Sequence, residues 1–222
     1  MAVANKTSAL IPPIAPRLPI SPIEFDQRFM DEFIRILRLY FNQLDNFDSG
    51  LLGSGGGRFL NFPYGAFSSG VTQTATTNTA TALTFNTTDF ANGFSIVSGS
   101  KITPSYPGLY NIQFSVQIQS LSNATEDVFI WLRQGNDGGA SVDIAGSTGL
   151  VGMMPRKGAG NPSHDIKGWN YFVSMAAGDY IQIYWSTTNG TDVTIPFYAA
   201  SGSPTKPSTQ SVVATMQFVS KI

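Results

Sequence analysis

Gly108–Ser120 reads GLYNIQFSVQIQS. Tyr110, Ile112, Phe114, Val116 and Ile118 alternate with Asn111, Gln113, Ser115, Gln117 and Gln119. Successive side chains of a strand point to opposite faces, so the stretch predicts one apolar face and one face of amides and hydroxyls. A 3.6-residue period would scatter the same apolar residues around a helix. Pro107-Gly108 opens the strand as a turn pair, with φ fixed at Pro and positive φ accessible to Gly. The polar face carries no charge, which suits water or a wet contact with another subunit.

Strands of the same kind follow. Val128–Gln134 sets Val128, Ile130 and Leu132 against Phe129, Trp131 and Arg133. Asp179–Trp185 sets Ile181, Ile183 and Trp185 against Tyr180, Gln182 and Tyr184. Ser211–Ser220 places Val212, Ala214, Met216 and Phe218 on one face, a regularity expected of a strand in mid-sheet. Shorter strands are expected at Phe94–Val97, Lys101–Ile102, Val142–Ile144 and Gly168–Met175. The nearly chargeless run Ser68–Thr84 predicts a peripheral strand pair, because Thr favours strands. Gly146–Lys167 and Gly202–Ser208 read as loops. Roughly eight to ten strands with turn signals every 8–12 residues predict a mainly β sandwich or jelly roll over residues 59–222.

The chain before it reads differently. Residues 1–22 hold Pro12, Pro13, Pro16, Pro19 and Pro22, which forbid a helix and favour extended geometry. Ile11, Ile14, Leu18 and Ile20 are interleaved with them. One reading is a floppy terminus. The other is an anchoring arm, carried by Ile11, Pro12, Pro13, Ile14, Leu18 and Ile20, that orders when docked on a partner.

Residues 23–47 form the predicted helix, with Ser21 as N-cap and Pro22 at its first position. Met30, Ile34, Leu37, Phe41 and Leu44 recur at heptad steps, with Ile23 in line before them. Phe29, Phe33, Ile36 and Tyr40 make a second stripe. Two stripes suit a bundle of three helices and hence a homotrimer; a helix lying flat on its own β unit is the competing reading. Residues 48–58, with Ser54-Gly55-Gly56-Gly57, are the expected hinge.

Composition narrows the function. A length of 222 residues allows one sizeable β domain plus an appendage. Charged residues make up 12%, about half the usual share. A net charge of −1 leaves no electrostatic footprint for nucleic acid. The absence of cysteine excludes disulfides and thiolate chemistry. No run approaches membrane-spanning length, and the first apolar run, Ala9–Ile14, is broken by Pro12 and Pro13 rather than built as a secretory signal. Folding in a reducing cytoplasm is the expectation.

Catalytic inventory is poor. His164 is the one histidine. It falls in a stretch that reads as a loop, and adjacent Asp165 could not orient it as in a Ser-His-Asp triad. Glu126-Asp127 and the scattered turn aspartates could serve glycoside hydrolysis as a carboxylate pair, but turn aspartates usually bond nearby backbone, which disfavours an enzyme. No calcium-loop spacing is present, and Gly53–Gly57 lacks the Lys-Ser/Thr ending of a phosphate loop. No catalytic residue, metal or cofactor is expected. Trp169, Tyr171, Tyr180, Tyr184, Trp185 and Tyr198 could stack on sugars or serve as core aromatics. Trp169, Tyr171 and Tyr184 are taken as the candidate glycan contacts.

Three short motifs carry a resemblance. Pro107-Gly108-Leu109-Tyr110, Ala177-Gly178-Asp179-Tyr180 and the closing Val212–Val219 resemble, in order and spacing, the TNF and complement globular-head superfamily over about residues 65–220. The resemblance implies jelly rolls packed side by side about a threefold axis. The whole chain, including FDQRFMDEFIRILRLYFNQLDN and GWNYFVSMAAGDYIQIYWSTTN, is similar to structural, fibre-like proteins of tailed marine bacteriophages, cyanophages above all. That resemblance implies a non-enzymatic virion protein assembled in a bacterial cytoplasm: a trimeric short fibre, decoration or appendage. Its arm would dock on capsid or tail proteins and its jelly roll would form an outer knob. A host-receptor module binding surface glycan is the alternative, and a depolymerase is a third, disfavoured reading.

Overall fold

The computed structural model describes residues 13–52, 62–136 and 138–221. The chain divides into two compact units, Met1–Asn61 and Phe62–Ile222.

In the first unit, residues 13–26 form neither helix nor strand. Pro13, Pro16, Pro19 and Pro22 deny this stretch the backbone donors that regular structure needs. Ile14, Leu18 and Ile20 are exposed there. Ile11 and Pro12 lie outside the described residues. Helix α1 spans Gln27–Leu52 and starts later than Ser21-Pro22 led us to expect. The cap is Asp26, whose Oδ1 accepts the Arg28 N–H at 3.0 Å and whose carbonyl accepts the Met30 N–H at 3.1 Å. Ser21 turns its hydroxyl to the Pro22 carbonyl instead. The helix also outruns Phe47, because Leu51 stands one heptad after Leu44 and prolongs the apolar period across Asp48 and Ser49. The expected hinge glycines, Gly53–Gly57, lie outside the described residues.

The second unit is built from antiparallel strands. In chain order they are β1 (Tyr64–Ser69), β2 (Thr81–Ala82), β3 (Thr87–Asn92), β4 (Phe94–Val97) and β5 (Lys101–Pro104). Then come β6 (Gly108–Ser120), β7 (Glu126–Asn136), β8 (Val142–Asp143), β9 (Gly149–Met153) and β10 (Ser163–Met175). The chain closes with β11 (Asp179–Thr187), β12 (Val193–Thr194), β13 (Ser201–Gly202), β14 (Thr205–Lys206) and β15 (Val212–Ser220). One sheet runs β3-β1-β15-β6-β10, with β12 also on β6. The other runs β4-β5-β11-β7-β8, with β2 also on β11 and β9 also on β7. β13 and β14 pair only with each other.

Between the sheets lies one apolar cluster. β6 contributes Tyr110, Ile112, Phe114, Val116 and Ile118, and β15 adds Val212, Ala214 and Met216. The second sheet answers with Val128, Ile130 and Leu132 from β7 and Ile181, Ile183 and Trp185 from β11. These are the alternating sets that the period of two marks for one face. β15 lies between β1 and β6, as its regularity predicts.

Several stretches depart from expectation: β1 and β3 are not among the expected strands, and Gly202–Ser208, read as a loop, carries β14 and the end of β13. Ser68–Thr84 is not a strand pair: beyond the end of β1 it holds only β2 and a single bridge from Gln73 to Ile195. The Gln73 carboxamide replaces a strand there, accepting the Thr84 N–H at 2.8 Å and donating to the Thr84 carbonyl at 3.0 Å. Gly146–Lys167 is not one loop either, since it contains β9 and the start of β10. β8 and β9 share one edge of β7, and the Ser147 hydroxyl fills the gap between them by accepting the Leu132 N–H at 3.0 Å. Along β10, Asp165 and Lys167 pair in register with Ile118 and Val116, so both point to the core side, where they form an ion pair of 2.9 Å.

Candidate functional site

β6 and β10 present their polar faces outward together. In register, His164 lies opposite Gln119, Ile166 opposite Gln117, Gly168 opposite Ser115 and Phe172 opposite Asn111. Asn111 reaches diagonally to donate to the Asn170 side chain. Gly168 is required by close approach: a Cβ there would stand 2.4 Å from the Phe114 carbonyl oxygen. Ile166 and Phe172 are 62% and 56% exposed on this otherwise amide-lined surface.

The segment between β12 and β15 leaves the sheet after Thr194, which pairs with Gln119, and returns at Ser211, whose carbonyl accepts the Gln117 N–H at 2.9 Å. It is a narrow ribbon, closed by backbone bonds of 3.0 and 2.8 Å between Tyr198 and Thr209 and tipped by the β13–β14 hairpin. Its Tyr198 hydroxyl donates to Gln119 Oε1 and lies 3.3 Å from His164 Nδ1, which ties the ribbon to the outer faces of both strands. Partial burial pushes the Tyr198 phenol above its ordinary pKa, so it stays a donor across the physiological range. Ribbon and sheet enclose an open cavity of about 610 Å³ lined by Gln117, His164, Asp165, Ile166, Tyr198, Lys206 and Thr209. It lies at the far end of β6 from Phe218, the residue on which Phe62 stacks.

The predicted glycan residues do not converge. Trp169 packs on Phe114 with ring centroids 4.8 Å apart, and Tyr171 donates its hydroxyl to the Ala145 carbonyl at 3.2 Å; both lie against the rim of the core. Tyr184 is on the outer face of the other sheet. There Trp131 tilts toward it at 5.8 Å and the Arg133 guanidinium covers its ring at 4.0 Å. Asp143 holds both neighbours, accepting the Trp131 indole N–H at 2.8 Å and Arg133 Nε at 2.7 Å. The Arg133 guanidinium in turn holds the Asp143 carboxyl below the usual carboxylate range. These groups satisfy one another. Of the other aromatics weighed for stacking, Trp185 and Tyr180 are buried, and only Tyr198 lines the cavity.

His164 stands on a strand rather than in a loop. Glu126 joins three side chains: it accepts Ser122 Oγ at 2.7 Å, Thr188 Oγ1 at 2.7 Å and Asn189 Nδ2 at 3.0 Å. The Ser122 bond first, then those of Asn189 and Thr188, lower its pKa, so it is an ionised acceptor that ties two loops together. Among the described residues no cluster of His, Cys, Asp or Glu has the geometry to hold a metal ion. No described helix is long and apolar enough to cross a membrane.

On α1, Met30, Ile34, Leu37, Phe41 and Leu44 form one stripe in which none is buried; Phe41 is 56% exposed. Beside it Phe29 and Phe33 stack at 6.1 Å. No protein-family model matches this chain, and no curated protein matches it.

Proposed function

We propose that the chain is a non-enzymatic structural protein of a bacteriophage virion. It assembles as a homotrimer, docks on capsid or tail proteins through its N-terminal arm, and presents its β unit as an outer knob. The observation that carries this reading is the helix stripe Met30, Ile34, Leu37, Phe41 and Leu44, uncovered within its own unit and spaced for helices of identical copies. A TNF-like jelly roll is the proposed form of the sandwich, and the strand order supports it. β3-β1-β15-β6-β10 faces β4-β5-β11-β7-β9, and the chain crosses between sheets after β1, β2, β3, β5, β6, β9, β10 and β11. The virion assignment rests on the resemblance of the helix and of the β10–β11 stretch to phage structural proteins.

The arm supplies attachment. Exposed Ile14, Leu18 and Ile20 between prolines offer apolar side chains on a backbone with little entropy left to lose. Three arms on one stalk bind at an effective concentration in the millimolar range once the first is seated. A chain lacking residues 1–20 is expected to keep its oligomeric state and β spectrum but fail to load onto particles. Truncated protein at full occupancy on virions would place the anchor elsewhere.

A second reading, a host-receptor module for surface glycan, is favoured by the ribbon cavity beside His164 and Tyr198. It can coexist with the structural role.

A further inference from the structure

We propose that the cavity between the β13–β14 ribbon and the outer faces of β6 and β10 binds one acidic sugar unit of a surface polysaccharide. This rests on the host-glycan reading above, and it places that contact away from Trp169, Tyr171 and Tyr184.

The cavity's size comes first. At about 610 Å³ it falls within the roughly 300–1,000 Å³ that small-molecule sites span. Its lining is suited to a sugar. Gln117 and Thr209 offer an amide and a hydroxyl, which can both donate to and accept from sugar hydroxyls. Ile166, exposed at the strand surface, supplies an apolar patch for the C–H face of a ring. The Tyr198 ring stands beside it, held edge-on to His164 at 5.8 Å.

Charge makes the choice of an acidic unit. Asp165 is the one acidic residue in the lining, but its carboxylate turns to the core side of β10, where its Oδ2 pairs with Lys167 at 2.9 Å and its Oδ1 accepts the Ile166 N–H at 2.8 Å, so it brings no free negative charge to the outer face. Lys206 makes no ion pair among the described residues. The net charge left to the cavity is therefore positive, on a hairpin that reaches over an otherwise uncharged sheet face. A carboxylate or sulfate group on a sugar ring seated over Ile166 would complete it. The site is also built rather than loose: Tyr198 anchors the ribbon to Gln119, so the walls are set before a ligand arrives.

The test is titration calorimetry of the full chain with three oligosaccharides of equal length: tetragalacturonate, a sulfated galactotetraose and neutral galactotetraose. At least one acidic probe is expected to bind at least tenfold more tightly than the neutral one, and carboxylate against sulfate preference identifies the acid group. Lys206→Gln should remove that preference, and Ile166→Glu should abolish binding of the acidic probes. Both positions are exposed, and unchanged circular dichroism would show that each variant folds. Acidic probes that bind no better than the neutral one would overturn the proposal. So would acidic binding that survives both substitutions, an outcome that leaves glycan recognition standing at another site. If no probe binds, both the pocket and the glycan reading fall, while the oligomeric state, read separately by light scattering, still tests the structural role.

Discussion

The helix stripe and strand β6 carry equally regular apolar patterns, yet they end differently. On β6, Tyr110, Ile112, Phe114, Val116 and Ile118 are all buried within their own unit. On α1, Met30, Ile34 and Phe41 stay exposed and Leu37 and Leu44 half-buried. A sandwich supplies its own partner, because the second sheet is part of the same chain. A single amphipathic helix does not, and among the described residues of its unit nothing buries the stripe. Periodicity states that a face must be covered; topology decides by what.

The strongest way to break that contrast is Leu37→Asp. If the stripe is a seam between copies, a buried unpaired charge there costs roughly 3 kcal/mol or more. Light scattering on the native chain should give about three times the 23.8 kDa mass, and the variant should fall toward one. The β unit's thermal transition should stay where it was. A native monomer at micromolar concentration, or joint loss of helix and β folding in the variant, would mean that the stripe is not a seam between copies.

Ile112→Ala is the converse. Ile112 is fully buried, so truncation removes transfer energy and leaves a cavity, about 2–5 kcal/mol together. Denaturant unfolding followed by tryptophan fluorescence should show that loss in the β unit, with oligomeric mass unchanged. A loss of mass at temperatures where the β unit stays folded would show that the sandwich core also governs assembly.

The smallest effect sharpens the picture of the β unit's loops. Glu126 is held ionised by its three hydrogen bonds, so its folded pKa lies below the unfolded value of about 4.3. Its contribution is complete above that pH and disappears as pH falls through the folded value. Melting temperature should drop in that acid window, and Glu126→Gln should make the drop shallower by an amount of order 1 kcal/mol or less. Identical acid profiles would mean that other carboxylates govern the acid transition.

The sandwich strands were legible where alternation is clean: on β6, β7, β11 and β15. They were hidden where it fails. The first half of β10 puts Asp165 and Lys167 on the core side and Ile166 outside, so its pattern reads inverted. β9 is masked by Gly149 and Gly152, which give no side-chain signal. The Ser68–Thr84 run misled because a side-chain amide, Gln73, does the pairing that Thr content led us to expect from backbone. The helix start was misplaced because Ser21-Pro22 and Asp26 offer two caps and only the hydrogen bond of Asp26 decides between them. The cavity had no signature at all: residues 117, 164, 198, 206 and 209 come together only through the return of the ribbon onto the sheet.

The ion pair of Asp165 and Lys167 has a consequence for life at high density. β10 is a thirteen-residue strand at the border of its sheet, and no described strand pairs with its outer side. Side chains occupy the Ile166 N–H and the Ser174 carbonyl, but the rest of so long a row is a template on which other chains could stack into fibrils. Two inward charges obstruct this, since a strand added alongside would have to bury them against new apolar neighbours. Removing both, as in Asp165→Val with Lys167→Val, would complete the apolar alternation of β10 and leave its border open to runaway stacking. Any setting that crowds copies of the chain together would expose that hazard first, and this single ion pair is positioned against it.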